Sequence, residues 1–132
     1  MKNKPSVIRF SENGSVELGY LAIAEVGKLL PFDVKRMFWA YHTPDGVTRG
    51  RHAHYETEMV LVALAGRIIL TTEMPGESPE SFILERPNEG VYIPPLCWHV
   101  MQYSHNAVQL VIASTSYDED DYIREYKNFK NL

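Results

Sequence analysis

Three histidines stand out in the 132-residue sequence by their type and spacing. His52 and His54 lie two residues apart, so on a β-strand both side chains project from the same face. His99 follows a short apolar segment, and antiparallel pairing could bring it beside the first two. Imidazole titrates near neutral pH and also binds transition metals, so these side chains could exchange protons or hold a metal ion. The alternative is a pair of surface histidines on an edge strand.

The residues around the histidines extend the pattern. The segment reads Gly46-Val-Thr-Arg-Gly-Arg-His52-Ala-His54-Tyr-Glu-Thr-Glu58, and Gly90 and His99 follow in a second segment. This spacing resembles the two motifs of the cupin superfamily, in which three histidines and one glutamate hold a divalent metal inside a small β-barrel. The resemblance implies a metal site built from His52, His54, Glu58 and His99.

A narrower resemblance covers most of the chain. It rests on three segments, which are Arg49-Gly-Arg-His-Ala-His54, Tyr92 with Trp98-His99 after it, and Tyr117-Asp-Glu-Asp-Asp-Tyr-Ile123. These segments resemble the WxcM-like family, the nucleotide-sugar 3,4-ketoisomerases of deoxysugar pathways that feed lipopolysaccharide or S-layer glycans. The resemblance implies one all-β domain over residues 1–132, a small antiparallel cupin (jelly-roll) barrel with a short C-terminal helix. It also implies a homodimer.

The activity implied by this resemblance is TDP-4-keto-6-deoxy-D-glucose 3,4-ketoisomerase. A base removes the proton on C3, an enediol(ate) forms, and a proton is delivered to C4, so no cofactor is required. Histidine suits this task because its pKa lies near neutrality. The family makes His54 the first choice for the base and His52 its partner. The predicted substrate-binding residues are Arg49, Arg51, Tyr41, Tyr92, Trp98 and His99.

Glu58 keeps a second interpretation open, because the family commonly has glutamine at this position. The first alternative is therefore a metal-dependent cupin, a dioxygenase or isomerase that binds a divalent metal through its three-histidine, one-glutamate set. The second alternative is a sugar-binding cupin module without catalysis. Elemental analysis of the purified protein would distinguish the metal-dependent cupin from the ketoisomerase. Hydrogen exchange at the sugar carbons would distinguish a catalyst from the sugar-binding module.

The two arginines before the histidines should differ in role. Arg49 and Arg51 share strand parity, which is opposite to that of His52 and His54. A bend at Gly50 would turn Arg49 into the mouth of the barrel and leave Arg51 outside, and glycine makes such a bend easy. Arg49 is therefore the arginine expected to contact phosphate or an enolate oxygen through its guanidinium.

The elements that position these residues are mostly short strands separated by glycine and proline turns, which is typical of an antiparallel sandwich or barrel. Two helices are also expected, over Gly19–Leu30 and over Asp118–Leu132, where four acidic residues come first and lysines come last. The predicted strands are Arg36–Tyr41, Met59–Ala65, Arg67–Thr72, Ser81–Leu84, Gly90–Ile93 and Ala107–Ser114.

Composition excludes several classes of partner. Thirteen lysines and arginines against seventeen aspartates and glutamates give a formal charge of -4, and no basic run exists. Nucleic acid and membrane surfaces are therefore not expected partners, whereas a TDP-linked sugar needs only a few placed cations. Cys97 is the only cysteine, so no intrachain disulfide can form. Together with the lack of an apolar leader-like segment, this predicts a cytoplasmic location.

Overall fold

Antiparallel strands account for most of the fold in the computed structural model, which describes residues 3–132. Short turns separate them, as the glycine and proline pattern predicts. The strands are β1 Ser6–Arg9, β2 Ser11–Ser15, β3 Gly19–Ile23, β4 Arg36–Tyr41, β5 Thr48–His54, β6 Met59–Ala65, β7 Ile68–Glu73, β8 Glu80–Leu84, β9 Glu89–Ile93, β10 Trp98–Tyr103, β11 Val108–Ala113 and β12 Tyr122–Ile123. A single α-helix, α1 at Tyr126–Lys130, is found in the described part of the chain.

Ten of these strands form two five-stranded sheets that enclose a common core. The first sheet has the order β1-β9-β6-β11-β4 and the second the order β12-β5-β10-β7-β8. Buried side chains of both sheets, such as Leu61 and Val111 from the first and Leu70 and Met101 from the second, belong to one apolar cluster. The predicted fold, a small antiparallel β-barrel of the cupin type with a short C-terminal helix, is confirmed.

Strand parity divides the first sheet into an inner and an outer face. Along β6, Met59 and Leu61 point into the barrel, whereas Val60 and Val62 belong to a separate cluster on the outside. The outer cluster is covered by Phe32 and neighbouring apolar residues that precede β4. Both faces of β6 are therefore buried, which explains its continuous apolar sequence.

The predicted helix over Asp118–Leu132 is mostly absent. Asp118 caps a short 3-10 turn over Glu119–Asp121 by accepting from the Asp120 amide. The chain then pairs with β5 as β12, and only α1 is helical. Pairing with the sheet edge overrides the helical charge pattern because it buries Ile123, which is 3% exposed.

The predicted helix over Gly19–Leu30 is also wrong. Residues Gly19–Ile23 pair with β2 as a hairpin, and a loop of turns follows. Gly19 and Gly27 have φ values of +86° and +83°, a conformation that an α-helix excludes. In the described residues no helix combines the length and hydropathy needed to cross a bilayer.

Candidate active site

The three histidines meet at one end of the barrel interior. β5 carries His52 and His54 on the same face, and β10 places His99 directly opposite His52 in the antiparallel register. The ring centroids are 4.7 Å apart for His52 and His99, 5.0 Å for His52 and His54, and 5.8 Å for His54 and His99. One nitrogen of each ring lies within 4.8 Å of the others. The structure therefore brings together all three predicted histidines.

A bulge in β5 sets the direction of the residues before the histidines. Gly50 and Arg51 have φ values of +86° and +62°, and the register with β10 shifts at this point. A Cβ on Gly50 would lie 2.8 Å from the His99 carbonyl oxygen, so only glycine fits here. The chain thus bends at Gly50, and Arg49 lies in the wall of the barrel cavity. Arg51 turns away, and its Nε donates to Thr48 Oγ1 at 3.0 Å.

Backbone carbonyls fix the protonation of two of the rings. His52 Nδ1 lies 3.1 Å from the Gly50 oxygen, and His99 Nδ1 lies 3.0 Å from the Cys97 oxygen. A carbonyl oxygen only accepts, so each Nδ1 carries the hydrogen and each Nε2 keeps a lone pair. His54 differs, because its buried Nε2 has no hydrogen-bond partner among the described residues. Within the described residues, the cluster therefore contains one buried imidazole nitrogen that no hydrogen bond satisfies.

Burial keeps the three rings neutral at pH 7. It lowers the pKa of His52 to about 3 and that of His54 to about 3, and in both cases the neighbouring His99 lowers it further. Burial also lowers the pKa of His99 to about 4, although its bond to the Cys97 carbonyl acts in the opposite direction. A neutral imidazole can accept a proton without first losing one, so the three rings are in the protonation state that a base requires, with a basicity that burial lowers.

A cavity of about 440 Å³ opens beside the histidines, between the inner faces of the two sheets. Its volume lies in the range of small-ligand sites. Apolar side chains form part of the wall and polar side chains the rest, so a ligand with both a ring and charged groups fits it. The lining residues are Phe38, Trp39, Ala40, Tyr41, Thr43, Arg49, Gly50, His52, Met59, Leu61, His99, Met101, Tyr103, Gln109, Val111, Tyr122 and Arg124.

A buried polar pair adds to the wall of this cavity. The Tyr103 hydroxyl donates to Gln109 Oε1 at 3.0 Å, and both residues are buried. Burial raises the pKa of Tyr103 to about 12, while Arg49 beside it acts in the opposite direction. Tyr103 therefore stays protonated at neutral pH, and Arg49 is held next to a hydroxyl that can align it. Sequence reasoning missed Tyr103 and Gln109, because β10 and β11 belong to different sheets and the way these sheets face each other brings the two side chains together.

The C-terminal segment contributes a second missed pair. The Tyr122 ring lies 5.0 Å from that of His52 and 4.4 Å from that of His54. The Arg124 guanidinium lies 4.2 Å from the Tyr122 ring centre, and its Nε donates to Glu119 at 2.5 Å. Tyr122 was not predicted as a site residue, because it lies within the segment Asp118–Leu132 that was expected to form a helix.

Five predicted residues lie outside the cavity lining, namely His54, Arg51, Glu58, Tyr92 and Trp98. The Glu58 carboxylate accepts from the Tyr92 hydroxyl at 2.7 Å, and Tyr92 belongs to the cluster on the outer face of the first sheet. Trp98 packs against Phe129 of α1, because neighbours on a strand face opposite sides and His99 takes the inner one. The structure therefore places Glu58, Tyr92 and Trp98 away from the cavity lining, whereas Tyr41 belongs to it.

The family model that describes WxcM-like, C-terminal proteins matches residues 3–132. The chain belongs to the WxcM-like family. A curated relative, the TDP-4-oxo-6-deoxy-alpha-D-glucose-3,4-oxoisomerase of Aneurinibacillus thermoaerophilus, is 42% identical over 85% of this chain and 81% of its own length.

Solved structures resemble this WxcM-like protein over nearly its whole length. A 3,4-ketoisomerase from Helicobacter canadensis superposes with a TM-score of 0.90 at 35% identity, covering 96% of this chain and 95% of that one. A histidine-to-asparagine mutant of the 3,4-ketoisomerase QdtA from Thermoanaerobacterium thermosaccharolyticum, in complex with TDP-4-keto-6-deoxyglucose, gives 0.91 at 32% identity, with 99% and 94% coverage.

The cupin fold raises the question of a metal, and the WxcM-like chain fits one only in part. The three histidine nitrogens within 4.8 Å of one another could hold a divalent ion. Glu58, the expected fourth ligand, is bonded to Tyr92 on the other side of the first sheet. The donor set of this protein is therefore three imidazoles without a carboxylate.

Proposed function

We propose that this protein is a TDP-4-keto-6-deoxy-D-glucose 3,4-ketoisomerase that works by histidine acid–base catalysis. The observation that carries the proposal is the group of three neutral imidazoles beside the cavity, one of which, His54, has a buried Nε2 without a hydrogen-bond partner among the described residues. The relatives named as 3,4-ketoisomerases support the same reaction. Two of these relatives name a TDP-linked 4-keto-6-deoxyglucose as the sugar they act on or bind.

The reaction moves the carbonyl from C4 to C3 without a net change in hydrogen. The base takes the proton on C3, which the C4 carbonyl acidifies, and the electron pair forms the C3–C4 double bond of an enediol(ate). The oxygen on C4 takes up a proton and becomes a hydroxyl, a proton is delivered to C4, and the hydroxyl on C3 loses its proton and becomes the new carbonyl. Since the carbons exchange oxidation states within one molecule, the reaction needs no external electron carrier.

We assign the base to His54 and the proton partner to His52. The His54 ring contacts those of His52, His99 and Tyr122, and its buried Nε2 has no hydrogen-bond partner among the described residues. His52 and His99 line the cavity, so either one can pass a proton between His54 and the enediol oxygens. A base near the reacting carbon typically contributes ~10²–10⁴-fold to the rate.

We assign substrate binding to the cationic and aromatic edge of the cavity. Arg49 lies in the cavity wall and offers a fork of donors to a phosphate or an enolate oxygen. Trp39 and Tyr41, both on β4, give an aromatic surface on which a thymine ring could stack. Arg51 bonds to Thr48 outside the cavity, and we assign it no substrate contact.

We propose a homodimer in which a second copy covers the β2–β3 hairpin and β4. In the described part of the chain, the hairpin strands pair only with each other, and the apolar residues Val16 and Leu18 at its turn are 86% and 90% exposed. β4 is an edge strand with Met37 and Trp39 more than half exposed. Light scattering after size exclusion should give twice the chain mass of 15.2 kDa. The Leu18→Glu variant should give the mass of a single chain.

The location proposed for this protein is the cytoplasm, with a role in deoxysugar biosynthesis for surface glycans. The support is chemical: Cys97, the only cysteine, is buried and unpaired, as suits a reducing compartment. A fractionation that recovers the protein outside the cytoplasm would overturn this assignment.

The experiment that tests the function is incubation with TDP-4-keto-6-deoxyglucose in deuterated buffer, followed by NMR of the product. We expect a 3-keto sugar with deuterium at C4. A His105→Gln variant is a matched control, because His105 is exposed in the loop between β10 and β11. An unchanged substrate with no deuterium at either carbon would leave only a sugar-binding role.

The same assay, repeated after dialysis against a strong chelator, distinguishes the ketoisomerase from a metal-dependent cupin. We expect full activity, since proton transfer between imidazoles and sugar needs no Lewis acid. Loss of activity that one metal restores would establish the metal-dependent alternative instead.

A further inference from the structure

We infer that Tyr103 and Gln109 form a nucleobase subsite at the end of the cavity away from the histidines, where the Gln109 amide donates to the 4-carbonyl of a pyrimidine such as thymine. Both side chains line the cavity, and they are 3% and 2% exposed. The inference rests on the function proposed above, because that function supplies the nucleotide. It adds the protein group that distinguishes thymine from another base.

The inner row of β10 gives the order of polar groups along the cavity. His99, Met101 and Tyr103 alternate on the face that lines it, so Tyr103 lies about 13 Å from His99 along the strand. Arg49 is the register partner of Met101, midway between them. The order is therefore imidazoles, a guanidinium and a buried polar pair. It matches the order of sugar, diphosphate and base in a nucleotide sugar.

The aromatic residues to which we assigned stacking on the base lie at the same end. Gln109 on β11 is the antiparallel partner of Ala40 on β4, and Trp39 and Tyr41 flank Ala40 in the sequence. All four residues line the cavity. A base that stacks on this part of β4 would therefore turn its edge towards the Gln109 amide. An aromatic face beside a polar amide suits a planar base, which has an apolar face and polar edge atoms.

Tyr103 fixes the orientation of the Gln109 amide. Its hydroxyl donates to Gln109 Oε1 at 3.0 Å, and it stays protonated because burial raises its pKa to about 12. The amide oxygen is therefore engaged. The Nε2 group has no hydrogen-bond partner among the described residues, so it is the donor that remains for a ligand. A carbonyl oxygen that accepts from this buried group relieves the cost of leaving it unpaired.

This orientation selects one kind of pyrimidine. Thymine carries a carbonyl oxygen on ring atom C4, which lies opposite the atom that bears the ribose, so this oxygen points towards the closed end of the subsite. Cytosine carries an amino group on the same atom, which would bring two donors against each other. A glutamine amide held in one orientation therefore accepts thymine and rejects cytosine, whereas an amide that is free to turn over could bind either base.

Isothermal titration with TDP and with CDP measures this selectivity without any assay of turnover. The wild-type protein should bind TDP about tenfold more tightly than CDP, because a hydrogen bond is replaced by a contact between two donors. Gln109→Leu, which nearly keeps the size of the side chain, should weaken TDP binding by about tenfold and leave the two affinities within about threefold of each other. Gln102→Leu is the matched control, because Gln102 is exposed on the outer face of β10 and should change neither affinity.

Tyr103→Phe keeps the test decisive if Gln109→Leu fails to fold. Without the hydroxyl the amide can turn over, so CDP binding should become tighter while TDP binding changes by about threefold or less. An equal loss of affinity for both nucleotides in these variants would show a structural role and overturn the subsite. Equal affinities for TDP and CDP in the wild type, or binding of neither, would also overturn it.

The NMR assay described above separates this inference from the proposed function. Isomerisation of TDP-4-keto-6-deoxyglucose together with unselective binding of TDP and CDP overturns the subsite and leaves the function. Selective binding of TDP without isomerisation refutes the function and leaves the subsite.

Discussion

Two buried polar groups lie on opposite sides of β10, the Glu73 carboxylate and the histidine cluster. They differ in whether other protein groups satisfy their hydrogen bonds. On one side, the Glu73 carboxylate accepts from the Tyr126 hydroxyl at 2.8 and 3.0 Å and from Lys130 Nζ at 3.1 Å. On the other side, the histidine cluster includes a buried nitrogen, His54 Nε2, that has no partner in the described residues. The satisfied group holds α1 against the barrel, and the unsatisfied group is where chemistry can occur.

This contrast explains what each group can do. The Glu73 carboxylate is already paired with two donors of the C-terminal segment, Tyr126 and Lys130, so its removal should loosen that segment. Replacing one histidine removes few hydrogen bonds within the protein, but it removes the ring nitrogen that a substrate needs. The contrast therefore predicts that activity and stability respond to different residues.

The largest expected effect is on turnover at the histidine cluster. His54→Asn should lower kcat by ~10²–10⁴-fold, because a general base contributes about that much, while TDP binding stays within about twofold. Stopped assays with NMR detection and isothermal titration with TDP measure the two quantities. Turnover close to that of wild type would remove His54 from the mechanism.

The next effect distinguishes the two arginines at the bulge. Arg49→Ala should lower kcat/KM by about ten- to a hundredfold, since a charge-assisted hydrogen bond contributes about 1.5–3 kcal/mol. Arg51→Ala serves as its matched control, because Arg51 bonds to Thr48 outside the cavity. Steady-state kinetics of both variants decide the point, and equal small effects would move the phosphate site elsewhere.

The third effect is the pH dependence of stability, which the histidines should dominate between pH 6.5 and 5. Their folded-state pKa values, about 3, 3 and 4, lie below the usual 6.5 because burial disfavours the charged ring. The unfolded chain therefore binds more protons in this window, and the free energy of unfolding falls as pH falls. Each such proton costs about 1.4 kcal/mol per pH unit.

Urea unfolding at several pH values, with chelator present, measures this slope. His99→Gln should reduce the slope by about one proton, whereas His105→Gln changes it little because His105 is exposed. A flat stability profile across the window would contradict the lowered pKa values of the cluster.

The smallest effect belongs to the satisfied group. Glu73→Gln should lower the free energy of unfolding by about 1–2 kcal/mol, because it weakens charge-assisted hydrogen bonds to side chains that can still reach water. It should leave KM nearly unchanged, since Glu73 lies outside the cavity lining. Denaturant unfolding and steady-state kinetics of the same variant test this. A loss of turnover larger than that of Arg49→Ala would contradict the assignment of Glu73 to stability rather than activity.

Much of the fold could be predicted because its strands carry local signals. Arg36–Tyr41 and Met59–Ala65 were predicted with the bounds that β4 and β6 have, since dense aromatic or apolar runs lie between turns. The β2–β3 hairpin was not predicted, because it buries little apolar area and so lacks an alternating pattern. β12 was missed because its pairing with β5 depends on a distant part of the chain.

The candidate site was predictable where residue type and spacing sufficed. His52 and His54 share parity, and His99 has the same chemistry, so the cluster could be expected. Tyr103 and Gln109 carry no local signal, since their meeting depends on how β10 and β11 face each other. Trp98 could have been excluded by parity alone, because it precedes His99 on the same strand.

The two tryptophans of this chain lie in unlike surroundings, which makes them separate optical reporters. Trp39 is 61% exposed at the edge of the cavity, whereas Trp98 is 8% exposed beneath α1. Substitution of either one by phenylalanine would leave a single fluorophore. The emission of Trp39 would then follow the arrival of a nucleotide or a second copy, and that of Trp98 would follow detachment of the C-terminal segment during unfolding.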